Sequence, residues 1–216
     1  MTIDAVVFDM DGVLLASEEV WDEVRERYVR ERGGRYDADV QRAMMGMSST
    51  EWSRFLHESA GVHDEPEAIN AEVVRRMLGA YREHLPLIPG AVDAVQRLAA
   101  RYPLGLASSS NRALIDTALD VAELSPLFAA TVSSEEVARG KPAPDVYLEA
   151  ARRLEAAADR CAAIEDSHGG IRSASSAGMR VIAIPNPSYP PDEEALALAH
   201  VTLRSIEELT PAVVSG

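Results

Sequence analysis

Two hydrophobic rhythms alternate along this chain. The first is a short, unbroken apolar run that stops at polar residues, found at 5–8, 104–107, 161–164 and 180–184, with a weaker one at 128–132. Such runs, rich in Val, Ile and Phe and lacking polar alternation, predict strands buried on both faces. The second rhythm repeats every three to four positions and predicts helices. It runs over 18–32, where Val20, Val24 and Tyr28 share a face and Gly33-Gly34 stops it, then over 39–45, 50–60 and from 65 or 66 to 84. It returns at 91–101, 111–119, 144–154 with Pro144 in the first turn, and from 167 or 168 to 177, where Gly178 ends it. A short helix, a strand near Val201 and a last helix close the chain. Residues 46–49 and 189–194 read as loops, the second on the surface because of its prolines and acids.

The distribution of the two rhythms sets the architecture. Between 17 and 87 only helices are expected. Elsewhere strands and helices alternate, the signature of a doubly wound parallel α/β sheet. The chain therefore reads as an α/β core domain from 1–16 and 88–216, with an all-helical cap domain, 17–87, spliced in after the first strand. Two connections, near Ser17 and near Pro86 to Pro89, join the parts, as suits a lid over the strand ends.

Polar residues gather where the strands stop. AVVFDMDG ends in Asp9 and Asp11, LASSS in Ser108, Ser109 and Ser110, and IED in Glu165 and Asp166, while Gly140-Lys141-Pro142 follows the 128–132 run. In a parallel sheet these ends converge on one edge, where open α/β sheets bind ligands. Each has a plain reading alone: an Asp-Gly turn, helix-capping serines, a surface turn, an N-cap with Gly169-Gly170 for close packing. Together they make a phosphoryl-transfer site. Acids supply oxygen ligands for Mg²⁺, a hydroxyl, amides and an ammonium hold phosphoryl oxygens, and one carboxylate attacks phosphorus.

Composition sharpens this. The 216 residues carry a formal net charge of −14 and show no Lys/Arg run, which argues against a nucleic-acid partner. An anionic substrate approaches against that field, so a phosphate site needs strong local positive charge. Of 21 basic residues, 20 are arginine, and the one lysine is Lys141. The single cysteine, Cys161, excludes an internal disulfide and suits a reducing cytoplasm. No stretch is long and apolar enough for a membrane span, and the N-terminus lacks the pattern of a secretory leader, so a cytoplasmic protein is expected.

AVVFDMDG, LASSS, GKPAPDVYLEAA and IEDSHGGIRSASSAGM resemble, in order, the four signature motifs of the haloacid dehalogenase-like hydrolase superfamily. The closest likeness is to the branch of β-phosphoglucomutase and the sugar-phosphate phosphatases, whose helical cap follows the first motif. The resemblance implies a Rossmann-like core and a role for each motif residue. Asp9 would be the nucleophile that becomes an aspartyl phosphate, and Asp11 the general acid and base. Ser108, the Ser109 amide and Lys141 would bind the phosphoryl group. Mg²⁺ would be held by Asp9, the Asp11 backbone carbonyl and Asp166, with Glu165 binding it directly or through water.

Within the superfamily, Asp11 argues against a dehalogenase. A lysine-free cap excludes a phosphonatase, and the absence of membrane helices excludes a P-type ATPase. Against the mutase pattern, Trp21 stands where β-phosphoglucomutase has a histidine, and Ser49 where it has an arginine that anchors a second phosphate; Arg42 or Arg54 are possible substitutes. Ala16 stands where many relatives have Asp. The expectation is a Mg²⁺-dependent, monomeric phosphatase for a small phosphorylated metabolite. A hexose-phosphate mutase or a catalytically silent binding protein on the same fold are the alternatives. Substrate choice is expected from the cap: Trp21, Met47, Ser48, Ser49 and Arg54, with Met44, Met45 and Trp52 more plainly cap core. His57, His63, His84, His168 and His200 receive no role.

Overall fold

Strand β1 (Ala5–Phe8) is the centre of the molecule, and every residue in it is buried. In the computed structural model, which describes residues 2–44 and 47–216, it is followed by four helices: α1 (Glu18–Glu31), α2 (Ala38–Met44), α3 (Ser49–Ser59) and α4 (Pro66–Glu83). Helix α5 (Ala91–Ala99) leads to β2 (Leu104–Ser108), α6 (Arg112–Val121) to β3 (Phe128–Ser133), and α7 (Asp145–Arg153) to β4 (Cys161–Glu165). The chain closes with α8 (His168–Ser176), β5 (Arg180–Ala183), α9 (Glu193–Leu196), β6 (Val201–Thr202) and α10 (Pro211–Ser215).

The sheet is parallel throughout, in the order β3-β2-β1-β4-β5-β6. From β1 the chain winds outward through β2 and β3, then returns to lay β4 on the other side of β1. Val7 is in register with Gly105 of β2 and Ala163 of β4. The winding direction reverses between β1 and β4, and the loops after these strands part there. That crevice is where a doubly wound sheet takes its ligand, and Asp9 and Glu165-Asp166 stand on either side of it.

Two apolar layers cover the sheet. Val6 and Phe8 face the layer shared with Leu106, Leu114 and Ile164, whereas Ala5 and Val7 face Val146, Tyr147, Ile171 and Val181. Both faces are buried, which is why the strands lack alternation. Helices α1, α3 and α4 pack on one another around Tyr28, Trp52, Leu56, Val73 and Met77, and α4 also rests on α6.

The two connections to the helical stretch lie side by side. The Ala16 amide donates to the Pro86 carbonyl at 2.8 Å, the Ile88 amide to Leu14 at 2.9 Å, and Leu15 and Leu87 form an antiparallel bridge. The loop expected at 46–49 differs from the structure at its end, because Ser49 already starts α3. Met45 and Gly46 lie outside the described residues. Among the described residues no helix is long and apolar enough to cross a membrane.

Candidate active site

Four of the strand ends identified from the sequence meet above the sheet. Asp9 leaves β1 directly, its amide donating to the Ile164 carbonyl at 2.9 Å. Lys141 comes from the loop after β3, which is fastened to α8 by a 2.6 Å hydrogen bond from Ser173 Oγ to the Ala143 carbonyl. Its Nζ lies 2.8 Å from Asp9 Oδ1 and 2.6 Å from Glu165 Oε1, and 5.1 Å from the centre of the Tyr147 ring.

Glu165 is fully buried and spends both oxygens on the protein. Oε1 also accepts from Tyr147 Oη at 2.7 Å. Oε2 accepts from the Asp166 and Ser167 amides and from Ser167 Oγ, at 3.0, 3.3 and 3.2 Å. A Cβ on Gly170 would stand 1.7 Å from Glu165 Oε1, whereas one on Gly169 would meet nothing within 4 Å. The close packing inferred for the glycine pair therefore belongs to Gly170 alone. Gly12 is constrained twice: its φ is +81°, and a Cβ there would lie 1.9 Å from Asp166 Oδ2.

Charge in this cluster does not balance. Asp9, Glu165 and Asp166 are buried and bring carboxylate oxygens within 4.8 Å of one another. Lys141 is the one cation in contact with them among the described residues. Burial pushes the Asp9 carboxyl up to about 8, against the pull of Lys141. Burial, then the neighbouring Glu165 and Asp9, drives Asp166 well above the usual carboxylate range. Burial disfavours the Lys141 ammonium, but Asp9 and Glu165 outweigh it and leave the group more basic than an ordinary lysine. Asp166 Oδ1 is buried without a hydrogen-bond partner. An orphaned carboxylate oxygen in an all-oxygen donor set short of positive charge fits a hard divalent cation such as Mg²⁺.

Asp11 points elsewhere. It accepts from Ser17 Oγ at 2.5 Å and from Ser110 Oγ at 2.7 Å, so it bridges the start of the helical stretch and the loop after β2. That loop is fixed in turn by Ser133 Oγ on the Ser110 carbonyl and Ser134 Oγ on the Ser109 carbonyl. Ser109 and Ser110 face the cavity over Asp9. Ser108 is fully buried and does not line it; its hydroxyl accepts from the Ser110 amide at 3.0 Å. Ser110 was visible in the sequence only as the third of a serine run.

The cavity over Asp9 measures about 190 Å³. Of the residues expected from the cap, Trp21, Met47 and Ser49 line it, as do Met44 and Trp52, while both tryptophans also pack tightly. Ser49 Oγ donates to Asn111 Oδ1 at 2.7 Å and so fastens α3 to the loop before α6. Ser48 does not line the cavity, because its amide and hydroxyl both donate to Glu51 at the start of α3. Arg54 is exposed away from the cavity, and Arg42 is exposed and paired with Asp39.

Several lining residues escaped the sequence reading, Arg25 and Tyr189 among them. Arg25 lines the cavity one turn beyond Trp21; the i, i+4 spacing was the available signal. Tyr189, expected on a surface loop, also lines the cavity and accepts from Gln41 Nε2 at 3.3 Å, and the loop ends early, at α9. His168 lies at the cavity's edge on the exposed first turn of α8.

A family model described as haloacid dehalogenase-like hydrolase matches residues 3–178. Hexitol phosphatase B of Escherichia coli (strain K12) is 31% identical over 222 residues, covering 98% of this chain and 96% of that protein. The structure of CbbY from Rhodobacter sphaeroides in complex with phosphate superposes with a TM-score of 0.86 at 26% identity, covering 99% of each chain. A putative β-phosphoglucomutase from Thermotoga maritima superposes with a TM-score of 0.75 at 29% identity, covering 98% of each.

Proposed function

This chain belongs to the haloacid dehalogenase-like hydrolases, and from that membership we propose that it is a divalent-metal-dependent phosphatase. It hydrolyses a small phosphorylated metabolite of the sugar-phosphate class through an aspartyl phosphate on Asp9. The observation that carries this reading is the buried cluster of Asp9, Glu165 and Asp166 around Lys141, with one carboxylate oxygen of Asp166 left without a partner.

Asp9 is placed to attack. Lys141 holds Oδ1, and Oδ2 accepts no hydrogen bond from the described residues. The carboxylate adds to phosphorus, the bond from phosphorus to the ester oxygen breaks, and Asp11 gives its proton to the departing alkoxide. Asp11 then takes a proton from water, which attacks the same phosphorus and frees Asp9. Lys141 and the amides of the serine loop hold the phosphoryl oxygens. Asp9 and Asp166 would hold Mg²⁺, with Glu165 orienting Lys141 and the loop after β4. When bound, the metal keeps Asp9 ionised and neutralises the transferring oxygens. Asp11 shares its hydrogen bonds between Ser17 and Ser110, so its position is tied to the seating of the helical cap over the core.

Trp21 supports hydrolysis over phosphoryl return, since an indole cannot act as a second proton carrier. A hexose-phosphate mutase is the competing reading, favoured by the likeness to the Thermotoga structure. A panel of sugar phosphates with Mg²⁺ tests the proposal: free phosphate is released, and Asp9→Asn abolishes the release. Conversion of β-glucose 1-phosphate to glucose 6-phosphate without free phosphate, given the bisphosphate primer, overturns it in favour of the mutase. No Mg²⁺-dependent release from the panel or from p-nitrophenyl phosphate means a silent binding protein.

A further inference from the structure

Arg25 is a cation that the proposed chemistry leaves unused. It sits on α1, and its guanidinium carbon lies 4.5 Å from the centre of the Trp21 ring and 4.8 Å from that of Trp52. The two indoles are themselves packed edge to face, 6.1 Å apart, and both are buried. The guanidinium is thus packed against both indoles in the cavity wall, and Arg25 is partly buried. Its Nε is buried without a hydrogen-bond partner, and no carboxylate of the described residues forms an ion pair with it. Asp22 Oδ1, one turn earlier, accepts from the Tyr36 hydroxyl at 2.6 Å, and Asp22 forms no ion pair with Arg25. Burial lowers the Arg25 pKa to about 10, which still leaves it charged at neutral pH.

A charged guanidinium packed against two indoles, with its Nε buried and unpartnered, has half of a binding site already built. Its planar fork matches a carboxylate or phosphate in a two-point contact. It shares one small cavity with Asp9 and Lys141, so a single metabolite can reach both. A neutral polyol chain would leave the charge uncompensated. A second oxyanion would neutralise it without moving the protein.

We propose that Arg25 binds a second oxyanion of the substrate, a carboxylate or a further phosphate, so that this phosphatase selects phosphorylated acids or bisphosphates over neutral sugar and polyol phosphates. This inference rests on the phosphatase reading of the same cavity. Arg25 is the specificity-determining residue, and the two tryptophans packed beside it set its reach.

Two matched substrate pairs in Mg²⁺ test the inference. 3-Phosphoglycerate against glycerol 3-phosphate exchanges a carboxylate for a hydroxymethyl group; fructose 1,6-bisphosphate against fructose 1-phosphate adds a phosphate. The wild-type protein is expected to favour the more anionic member of one pair by at least tenfold in kcat/KM, and which pair responds identifies the oxyanion. Arg25→Gln lowers that ratio at least tenfold, chiefly through KM, and Arg25→Lys restores part of it. Equal or better use of the neutral members by the wild type overturns the inference, as does an Arg25→Gln ratio equal to that of the wild type. If Arg25→Gln does not fold, the wild-type ratio and Arg25→Lys decide, and an unchanged ratio in Arg25→Lys refutes the two-point contact. Absence of phosphate release from all four compounds and from p-nitrophenyl phosphate is a failure of the phosphatase reading instead.

Discussion

Asp166→Asn should make the metal-free protein more stable while removing its response to magnesium. Three buried carboxylates face one ammonium in the cluster, and Asp166 Oδ1 has no partner. Burial and the neighbouring Glu165 and Asp9 disfavour the charged form of Asp166. An uncompensated buried group costs at least about 1–3 kcal/mol when charged, and the amide keeps the shape while removing the charge, so it should return a similar amount. For a chain of this length each kcal/mol moves the midpoint by about 2–4 °C. The variant in EDTA should therefore melt about 2–12 °C above the wild type. Magnesium at a hundred times its dissociation constant adds about 2.7 kcal/mol to a protein that binds it only when folded, or roughly 5–11 °C. The wild type should show that rise and the variant should lose most of it. Differential scanning calorimetry at neutral pH, with EDTA or with magnesium, measures both shifts. A variant that melts below the wild type in EDTA and keeps the full magnesium shift would falsify the charge argument and the assignment of Asp166 to the metal.

Three further outcomes follow from single contacts. Lys141→Met leaves Asp9 and Glu165 buried without their shared cation and should cost about 3–5 kcal/mol in urea unfolding, together with loss of phosphate release. Gly12→Ala forces a non-glycine residue to φ near +81° and drives its Cβ into Asp166. The backbone alone should cost about 1–2 kcal/mol, and the calorimetric magnesium shift should vanish because Asp166 is displaced; a full shift would show that the carboxylate is free to move. Glu72 accepts from Arg75 and Arg76, whose hydrogen bonds pull its pKa from about 4.5 to about 2. A depressed carboxyl stabilises the fold above the unfolded pKa and loses that contribution as pH falls through the folded one. Wild type should therefore exceed Glu72→Gln by about 0.5–1 kcal/mol at pH 7, with the difference shrinking between pH 4.5 and pH 2 in denaturant titrations. A constant difference would place the effect in packing.

The Asp11 hydrogen bonds join the helical stretch to the core. Ser17 opens the helical stretch and Ser110 belongs to the core loop. Ser49 to Asn111 and Asn186 to Glu18 add two more polar latches across the same seam, at 2.7 and 2.8 Å. These polar latches add to the apolar packing of α4 on α6 in joining the helical stretch to the core.

Local pattern determined a great deal here. Apolar runs without alternation specify strands buried on both faces, and their order among the helices specifies a parallel doubly wound sheet, because such runs can satisfy both the backbone and the hydrophobic effect in few other ways. The same logic brings Asp9, Lys141, Glu165 and Asp166 to one edge, since parallel strands end together. What residues do once they arrive there is a matter of distances between distant segments, which sequence does not encode locally. Ser48 and Ser49 are neighbours at the start of α3, yet Ser48 is absorbed by Glu51 and Ser49 reaches Asn111. Arg25 looks like any arginine on an amphipathic helix until α3 brings Trp52 against it. Tyr189 reads as surface until the loop after β5 folds back over the cavity. Tertiary structure decided these because burial and partnership, not residue type, determine whether a polar side chain becomes a cap, a latch or a waiting charge.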